Sequence, residues 1–317
     1  MHYLESVLGK DSSFWKYIVV IAVTLVATWI IGGLFSGIVV VVYLLGKGGD
    51  MSPEMFRDVK NLYDLGLPEN LVLVLMLFPF IVSMLVSWAL IRSMHRRTFS
   101  MTVNGRENIR WNHIVSGFLF WFILQLVYIA ISYIVTPDNF VLQFEPDKFV
   151  PLLVITLLMI PFQTTYEEYI FRGYLAQGVA AWTKSRWLAI CIPGLLFGLM
   201  HFANTEVAEH GVWVTMPHYI IIGLAFGLIA VLDDGIELPI GMHLANNLSI
   251  CWFVTNKTSS LRTPAVFEQK EIFHVAETAG LVIAITLFIL YFYRKYKWDF
   301  NILNQKIKPE EPNEYKM

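Results

Sequence analysis

Residues 150–171 read VPLLVITLLMIPFQTTYEEYIF, and this stretch decides the fold. Its first half is apolar, whereas its second half carries the adjacent carboxylates Glu167 and Glu168, with Arg172 directly after it. A helix needs about 20 predominantly apolar residues to cross a bilayer. An ionisable side chain inside such a helix costs at least about 2.5–3.5 kcal/mol near the bilayer centre. The stretch therefore predicts a membrane helix whose charges have a function.

The composition of the whole chain agrees with a membrane location. Of its 317 residues, 56% are hydrophobic and only 15% are charged, and the mean hydropathy is +0.57. Soluble globular proteins carry roughly 25% charged residues, so a soluble fold, a disordered chain and a disulfide scaffold are all excluded. Cys191 and Cys251 lie in apolar runs and are expected to pack as core residues. The net charge of -2 excludes a nucleic-acid partner bound by bulk charge.

Apolar runs long enough to form helices recur along the chain. They predict an all-α polytopic membrane protein with about eight transmembrane helices. The predicted spans are Lys16–Leu45, Leu71–Ile91, Ile114–Val135, Val150–Phe171, Trp187–His201, Met216–Leu232, Ile236–Val254 and Phe273–Tyr293.

An even number of spans places both termini on one side of the membrane. Most Lys and Arg residues fall in the segments on that side, so both termini are predicted to be cytoplasmic. We divide the chain into N-terminal transmembrane helices (1–150), a core (151–254), a C-terminal transmembrane helix (255–303) and a disordered tail (304–317).

Polar side chains concentrate in three of the eight predicted spans. Glu168 and Arg172 are four residues apart and can pair on one helix face, while Glu167 points about 100° away. The alternative is a helix end whose charged side chains extend to the membrane interface and form one intrahelical salt bridge. His201 ends the fifth span, and it could equally be an interfacial residue.

The seventh predicted span carries a polar stripe of its own. His243 and Asn247 are four residues apart and share a helix face. Such a stripe can simply join helices by hydrogen bonds, each contributing roughly 1 kcal/mol. All three groups fall on core spans while the other spans stay nearly free of charge, which favours a single site.

These residue types limit the chemistry of the predicted site. The chain has no G-x-S-x-G elbow and no H-E-x-x-H helix, and neither cysteine lies near a histidine in a catalytic pattern. The remaining mechanism uses a water that Glu167 activates as general base together with His201. His243 and Asn247 then donate hydrogen bonds to an oxyanion. Alternatively, Glu167, His201 and His243 form a His₂Glu zinc site. The asparagine favours the version without a metal or other cofactor.

The three polar groups together resemble a known family. Their order on separate apolar helices is similar to the three motifs of the CPBP intramembrane proteases, which include the type II CAAX prenyl endopeptidases and bacteriocin-processing, Abi-like proteins. The resemblance covers about 151–254 and rests on Glu167-Glu168-x-x-x-Arg172, Phe197-x-x-x-His201 and His243-x-x-x-Asn247.

The resemblance implies eight helices around a conical cavity that is open to the cytosol. It implies that Glu167 and His201 activate water, that His243 and Asn247 bind the oxyanion, and that Glu168 and Arg172 support them. The expected function is an intramembrane endopeptidase acting on a membrane-tethered peptide or protein, either prenylated and of CAAX type or bacteriocin- or signal-like. The expected location is the lipid bilayer of a bacterial cytoplasmic membrane. A non-enzymatic immunity or peptide-binding scaffold protein that uses the same cavity is the alternative.

Overall fold

The computed structural model describes residues 3–8, 12–48 and 62–309, and it is almost entirely helical. The first half contains α1 (Phe14–Gly46), α2 (Glu69–His95), α3 (Phe99–Asn104), α4 (Trp111–Val135) and α5 (Pro146–Glu168). A π-helical segment, Tyr169–Leu175, joins α5 to α6 (Ala176–Thr183) without a break. The remainder contains α7 (Arg186–Met200), α8 (Thr205–His210), α9 (Val212–Leu232), α10 (Glu237–Phe253) and α11 (His274–Tyr296).

Seven helices within the described ranges are long and apolar enough to cross a membrane. The prediction of an all-α, multi-pass membrane protein is confirmed. The predicted span Ile236–Val254 forms α10, whose 17 residues make it shorter than those seven helices. At 1.5 Å per residue it is about 25 Å long. Most of its side chains are buried, so α10 lies inside the bundle and faces little lipid.

Contacts near the two chain ends place them at the same end of the bundle. Glu5 forms an ion pair with Arg186 at the start of α7. Arg186 also donates to the carbonyl oxygen of Gln305 (2.7 Å). The backbone amide of Ile307 donates to the carbonyl oxygen of Lys184 (3.1 Å). An even number of crossings, with α10 counted as one, accounts for this arrangement. The cytoplasmic assignment of that end stays a prediction.

Ordered structure continues past residue 304, where the disordered tail was predicted to begin. A 3₁₀ turn covers Phe300–Asn304, and Ile307 is buried in the main hydrophobic cluster. Ile307 packs there because its apolar side chain fills space beside the turn between α6 and α7. The predicted disordered residues 310–317 lie outside the described residues.

A small sheet covers the opposite end of the bundle. Its strands are β1 (Phe140–Leu142), β2 (Val254–Thr255) and β3 (Phe267–Gln269). The order is β1-β3-β2, with β1 antiparallel and β2 parallel to β3. Phe140 opposes Gln269, and Val254 opposes Phe267. The sheet therefore ties the end of α10 to the connection between α4 and α5.

Glycines bring the central helices close together. A Cβ on Gly241 in α10 would collide with the carbonyl oxygen of Ile114 in α4 and lie 2.7 Å from the amide nitrogen of Phe118. Likewise, a Cβ on Gly194 in α7 would lie 2.9 Å from the carbonyl oxygen of Gly223 in α9. Small residues permit such close backbone packing between membrane helices.

We expect Gly241→Ala to destabilise the protein, because backbone atoms of α4 cannot move away as a flexible side chain could. Overpacking of this kind typically costs about 1–3 kcal/mol. Thermal unfolding of the purified protein in detergent should therefore begin several degrees lower. Gly33→Ala in α1 is the matched control, since nothing lies within 4 Å of its Cβ position. Equal unfolding temperatures for both variants would show that the α4–α10 contact is not tight.

Candidate active site

The two adjacent carboxylates end α5, where the backbone changes from α-helical to π-helical geometry. Glu168 is 0% exposed and Arg172 is 1% exposed. The Arg172 Nη1 atom lies 2.9 Å from the Glu168 Oε1 atom, which confirms the pairing expected from their spacing. π-Helical turns are rare and frequently occur at functional sites. The π-helical turn therefore supports a functional site next to Glu167 and Glu168.

Groups from three other segments hold Arg172. Its guanidinium lies 4.1 Å from the ring centre of Phe197 in α7, and its Nη2 atom donates to the carbonyl oxygen of Gly223 in α9 (3.1 Å). The hydroxyl of Tyr3 donates to the Arg172 backbone oxygen. Arginine stacked on an aromatic face is attracted to it electrostatically. Arg172 thus joins the N-terminal segment, α7 and α9 at one point.

The imidazole of His243 lies between the two carboxylates. Its Nδ1 atom is 2.8 Å from Glu168 Oε1, and its Nε2 atom is 3.7 Å from Glu167 Oε2. Sequence spacing did not indicate the contact with Glu168, because it joins two different helices. An ionised carboxylate only accepts hydrogen bonds, so Nδ1 carries a proton and donates. Glu168 therefore sets the orientation of His243.

Glu167 occupies a different environment from Glu168. It is 8% exposed, it lines a cavity, and its Oε1 atom accepts a long hydrogen bond of 3.4 Å from Gln163 Nε2. The Gln163 Oε1 atom accepts from Asn247 Nδ2 at 3.2 Å. No role for Gln163 was predicted from the sequence. The available signal was a side-chain amide in an apolar span, one helical turn before Glu167.

His201 lies in a 3₁₀ turn, His201–Ala203, that follows directly after α7. Its Nδ1 atom donates to the carbonyl oxygen of Phe197 (2.9 Å), and its ring stacks on Tyr219 with centroids 4.3 Å apart. Phe197 contacts both imidazoles, with ring centroids 4.7 Å from His201 and 6.0 Å from His243. His201 lines the same cavity as His243, and Phe197 lies against both rings.

A polar cluster in α8 and the following loops supports Tyr219. Its hydroxyl donates to Glu206, which also accepts from the Ser260 hydroxyl (2.6 Å) and from Asn204 (3.2 Å). Burial alone would raise the pKa of Glu206, but these hydrogen bonds outweigh it and hold the pKa below its usual range. Sequence reasoning did not identify Glu206. Its carboxylate fixes the ring on which His201 stacks.

One cavity of about 980 Å³ joins these side chains. Cavities that bury a drug-sized ligand measure about 300–1,000 Å³, so this one has room for a short peptide. Its walls are mostly apolar, and none of the described residues that line it is a lysine or arginine. All four residues predicted to be catalytic line it: Glu167, His201, His243 and Asn247.

The zinc alternative, with Glu167, His201 and His243 as ligands, stays a prediction. Within residues 3–8, 12–48 and 62–309, no three His, Cys, Asp or Glu side chains are grouped as metal ligands are. One ring nitrogen of each histidine is engaged, by Phe197 for His201 and by Glu168 for His243, and metal-binding imidazoles are oriented by contacts of the same kind. The reaction proposed below is written for the version without a metal.

Comparison with known families identifies the part of the chain that carries the site. Residues 147–249 match the family described as type II CAAX prenyl endopeptidase Rce1-like. The match supports the resemblance of this core to the CPBP family. The match begins at the start of α5 and ends within α10, so it includes every motif residue on which the resemblance rests.

A similar protein occurs in Bacillus subtilis (strain 168), where it is described as the uncharacterized protein YyaK. It is 33% identical over 173 residues, which cover 54% of this chain and 58% of the relative. The chain thus matches a little over half the length of that relative. No solved structure matches the chain.

We expect Arg172→Met alone to destabilise the protein strongly, because it leaves Glu168 buried without its cation. Breaking a buried ion pair in this way typically costs about 3–5 kcal/mol. Glu168→Gln/Arg172→Met removes both charges and should recover much of the loss in thermal unfolding in detergent. A double variant no more stable than the single one would show that the charge pairing is not what matters.

Proposed function

We propose that the protein is an intramembrane endopeptidase that hydrolyses peptide bonds of membrane-tethered substrates. One observation carries the proposal: two adjacent carboxylates have been given different surroundings. Glu168 is enclosed by Arg172 and His243, whereas Glu167 faces the cavity and accepts a hydrogen bond from the neutral amide of Gln163. Paired carboxylates in contrasting environments are typical of sites that separate a base from a supporting acid.

In the proposed reaction, Glu167 with His201 activates a water molecule in the cavity. The water oxygen attacks the carbonyl carbon of the substrate while its proton passes to Glu167. The carbonyl oxygen becomes an oxyanion that accepts hydrogen bonds from His243 and Asn247. Collapse of this intermediate breaks the C–N bond, and Glu167 returns the proton to the leaving amine.

Glu168 makes the proposed role of His243 feasible. Because Nδ1 donates to Glu168, Nε2 carries a proton only when the ring is an imidazolium. The Glu168 carboxylate holds the ring in place, as the aspartate of a Ser-His-Asp triad orients its imidazole. Asn247 is a neutral donor and needs no such support. The two groups together supply the donors that an oxyanion requires.

The cavity also supports the proposed class of substrate. It lies among helices long enough to span a membrane, and its walls are mostly apolar, so a lipidated or hydrophobic peptide can enter it. The family match favours a prenylated CAAX-type peptide as the first substrate to test. The family match covers the core that supplies the site residues. The substrate of the whole chain is part of this proposal.

We expect Glu167→Gln and His201→Ala each to abolish cleavage of an S-farnesylated, fluorogenic CAAX peptide in proteoliposomes. Loss of a general base or its partner typically costs about 10²–10⁴-fold in rate. Glu145→Gln is the matched control, since Glu145 is an exposed carboxylate outside the cavity. Full activity in the Glu167 variant would overturn the proposal, and unchanged peptide binding without any wild-type turnover would favour the scaffold alternative.

We expect cleavage to survive exhaustive dialysis against a zinc chelator, because the proposed base and oxyanion donors are all side chains. Elemental analysis of the active protein should find zinc far below one atom per chain. Activity that disappears on chelation and returns with added zinc would favour the His₂Glu alternative instead. Dialysis of the wild type in parallel against the same buffer without chelator distinguishes metal loss from damage by detergent.

A further inference from the structure

Four side-chain amides and a carboxylate form a continuous hydrogen-bonded chain across α4, α10 and α5. Gln125 donates to Asn246 (2.5 Å), and Asn246 donates to Asn247 (3.2 Å). Asn247 donates to Gln163 (3.2 Å), and Gln163 donates to the Glu167 Oε1 atom (3.4 Å). All five side chains line the cavity. The chain therefore runs along the wall of the site and ends on the proposed base.

The two ends of this chain determine its direction. At one end, the indole nitrogen of Trp121, which can only donate, also lies 3.3 Å from the Asn246 oxygen. At the other end, an ionised Glu167 can only accept. Reversing any one amide would place two donors or two acceptors together, which would break a link in a low-dielectric interior. Both ends thus require the same orientation of Asn247 and Gln163.

We propose that Gln163 is a positioning residue for the hydrolysis described above, and this inference rests on that proposed function. Gln163 is 7% exposed and Asn247 is 8% exposed, so neither amide can exchange its partner freely for bulk water. The Gln163 oxygen keeps the amide nitrogen of Asn247, rather than its oxygen, turned toward α5. That is the orientation an oxyanion donor needs.

Gln163 also distinguishes the two oxygens of Glu167. Its amide nitrogen holds Oε1, and Oε2 is the oxygen that lies 3.7 Å from His243 Nε2. Oε2 is therefore the oxygen that takes the proton from water, while Oε1 keeps its hydrogen bond in both protonation states. One side chain thereby aligns the base and the oxyanion donor, which come from different helices.

Two variants of similar size test this role: Gln163→Met removes both hydrogen bonds, and Gln163→Glu keeps the acceptor for Asn247 but places a second carboxyl group where the amide donated to Glu167. We expect each to lower kcat on the S-farnesylated CAAX peptide by about 10- to 100-fold, since small misplacements of reacting groups have effects of this size. KM should stay close to the wild-type value. Thr164→Val is the matched control, because Thr164 is buried on the same helix and its hydroxyl donates to the carbonyl oxygen of Ile160, within its own helix.

A double-mutant comparison separates positioning from general packing. If Gln163 acts partly through Asn247, Gln163→Met should cost less in an Asn247→Ala background than in the wild type. Wild-type kcat in either Gln163 variant, a loss confined to KM, or full additivity with Asn247→Ala would overturn the inference. The proposed function would still stand if the wild type and Thr164→Val cleave the peptide while Glu167→Gln does not.

Discussion

The ion pair between Glu168 and Arg172 is the interaction on which the rest of the site depends. Two charges buried among membrane helices are stable only when each has close partners. Arg172 meets this requirement with Glu168, the ring of Phe197 and the carbonyl of Gly223, while Glu168 also accepts from His243. Helices α5, α7, α9 and α10 must all converge to supply these groups.

These helices can converge only if small residues lie where they cross. The carbonyl of Gly223 can reach Arg172 because α7 and α9 approach closely at Gly194. In the same way, Gly241 lets α10 lie against α4, two residues before His243. Glycines that read as ordinary apolar positions in the sequence therefore control the distance between chemically active side chains.

Spacing within one helix predicted contacts well, whereas contacts between helices escaped it. The interval of four residues correctly indicated the Glu168–Arg172 pair, and the apolar runs indicated the seven membrane-length helices and α10. The same spacing says nothing about rotation of one helix relative to another. For this reason the bond from His243 to Glu168 and the amide of Gln163 between Asn247 and Glu167 were not foreseen.

The placement of His201 shows a second limit of periodicity. It was expected at the end of a helix, and it lies one residue beyond α7, in a turn whose orientation depends on Tyr219 and Glu206. Glu206 follows in the polar segment after that turn, where neither apolar periodicity nor motif spacing applies. Its role emerges only once the loop carrying Ser260 folds back onto α8.

The two carboxylates differ because each belongs to a different polar network. Glu168 is held by Arg172 and by Nδ1 of His243, and these contacts fix the orientation of the imidazole. Glu167 lies 3.7 Å from Nε2 of the same imidazole and accepts from a chain of neutral side chains that starts at Trp121 and Gln125. A neutral amide orients a carboxylate without cancelling its charge, so the chain of amides positions Glu167 at the cavity wall. Adjacent residues of one helix can therefore take opposite tasks, because the networks that reach them come from different helices.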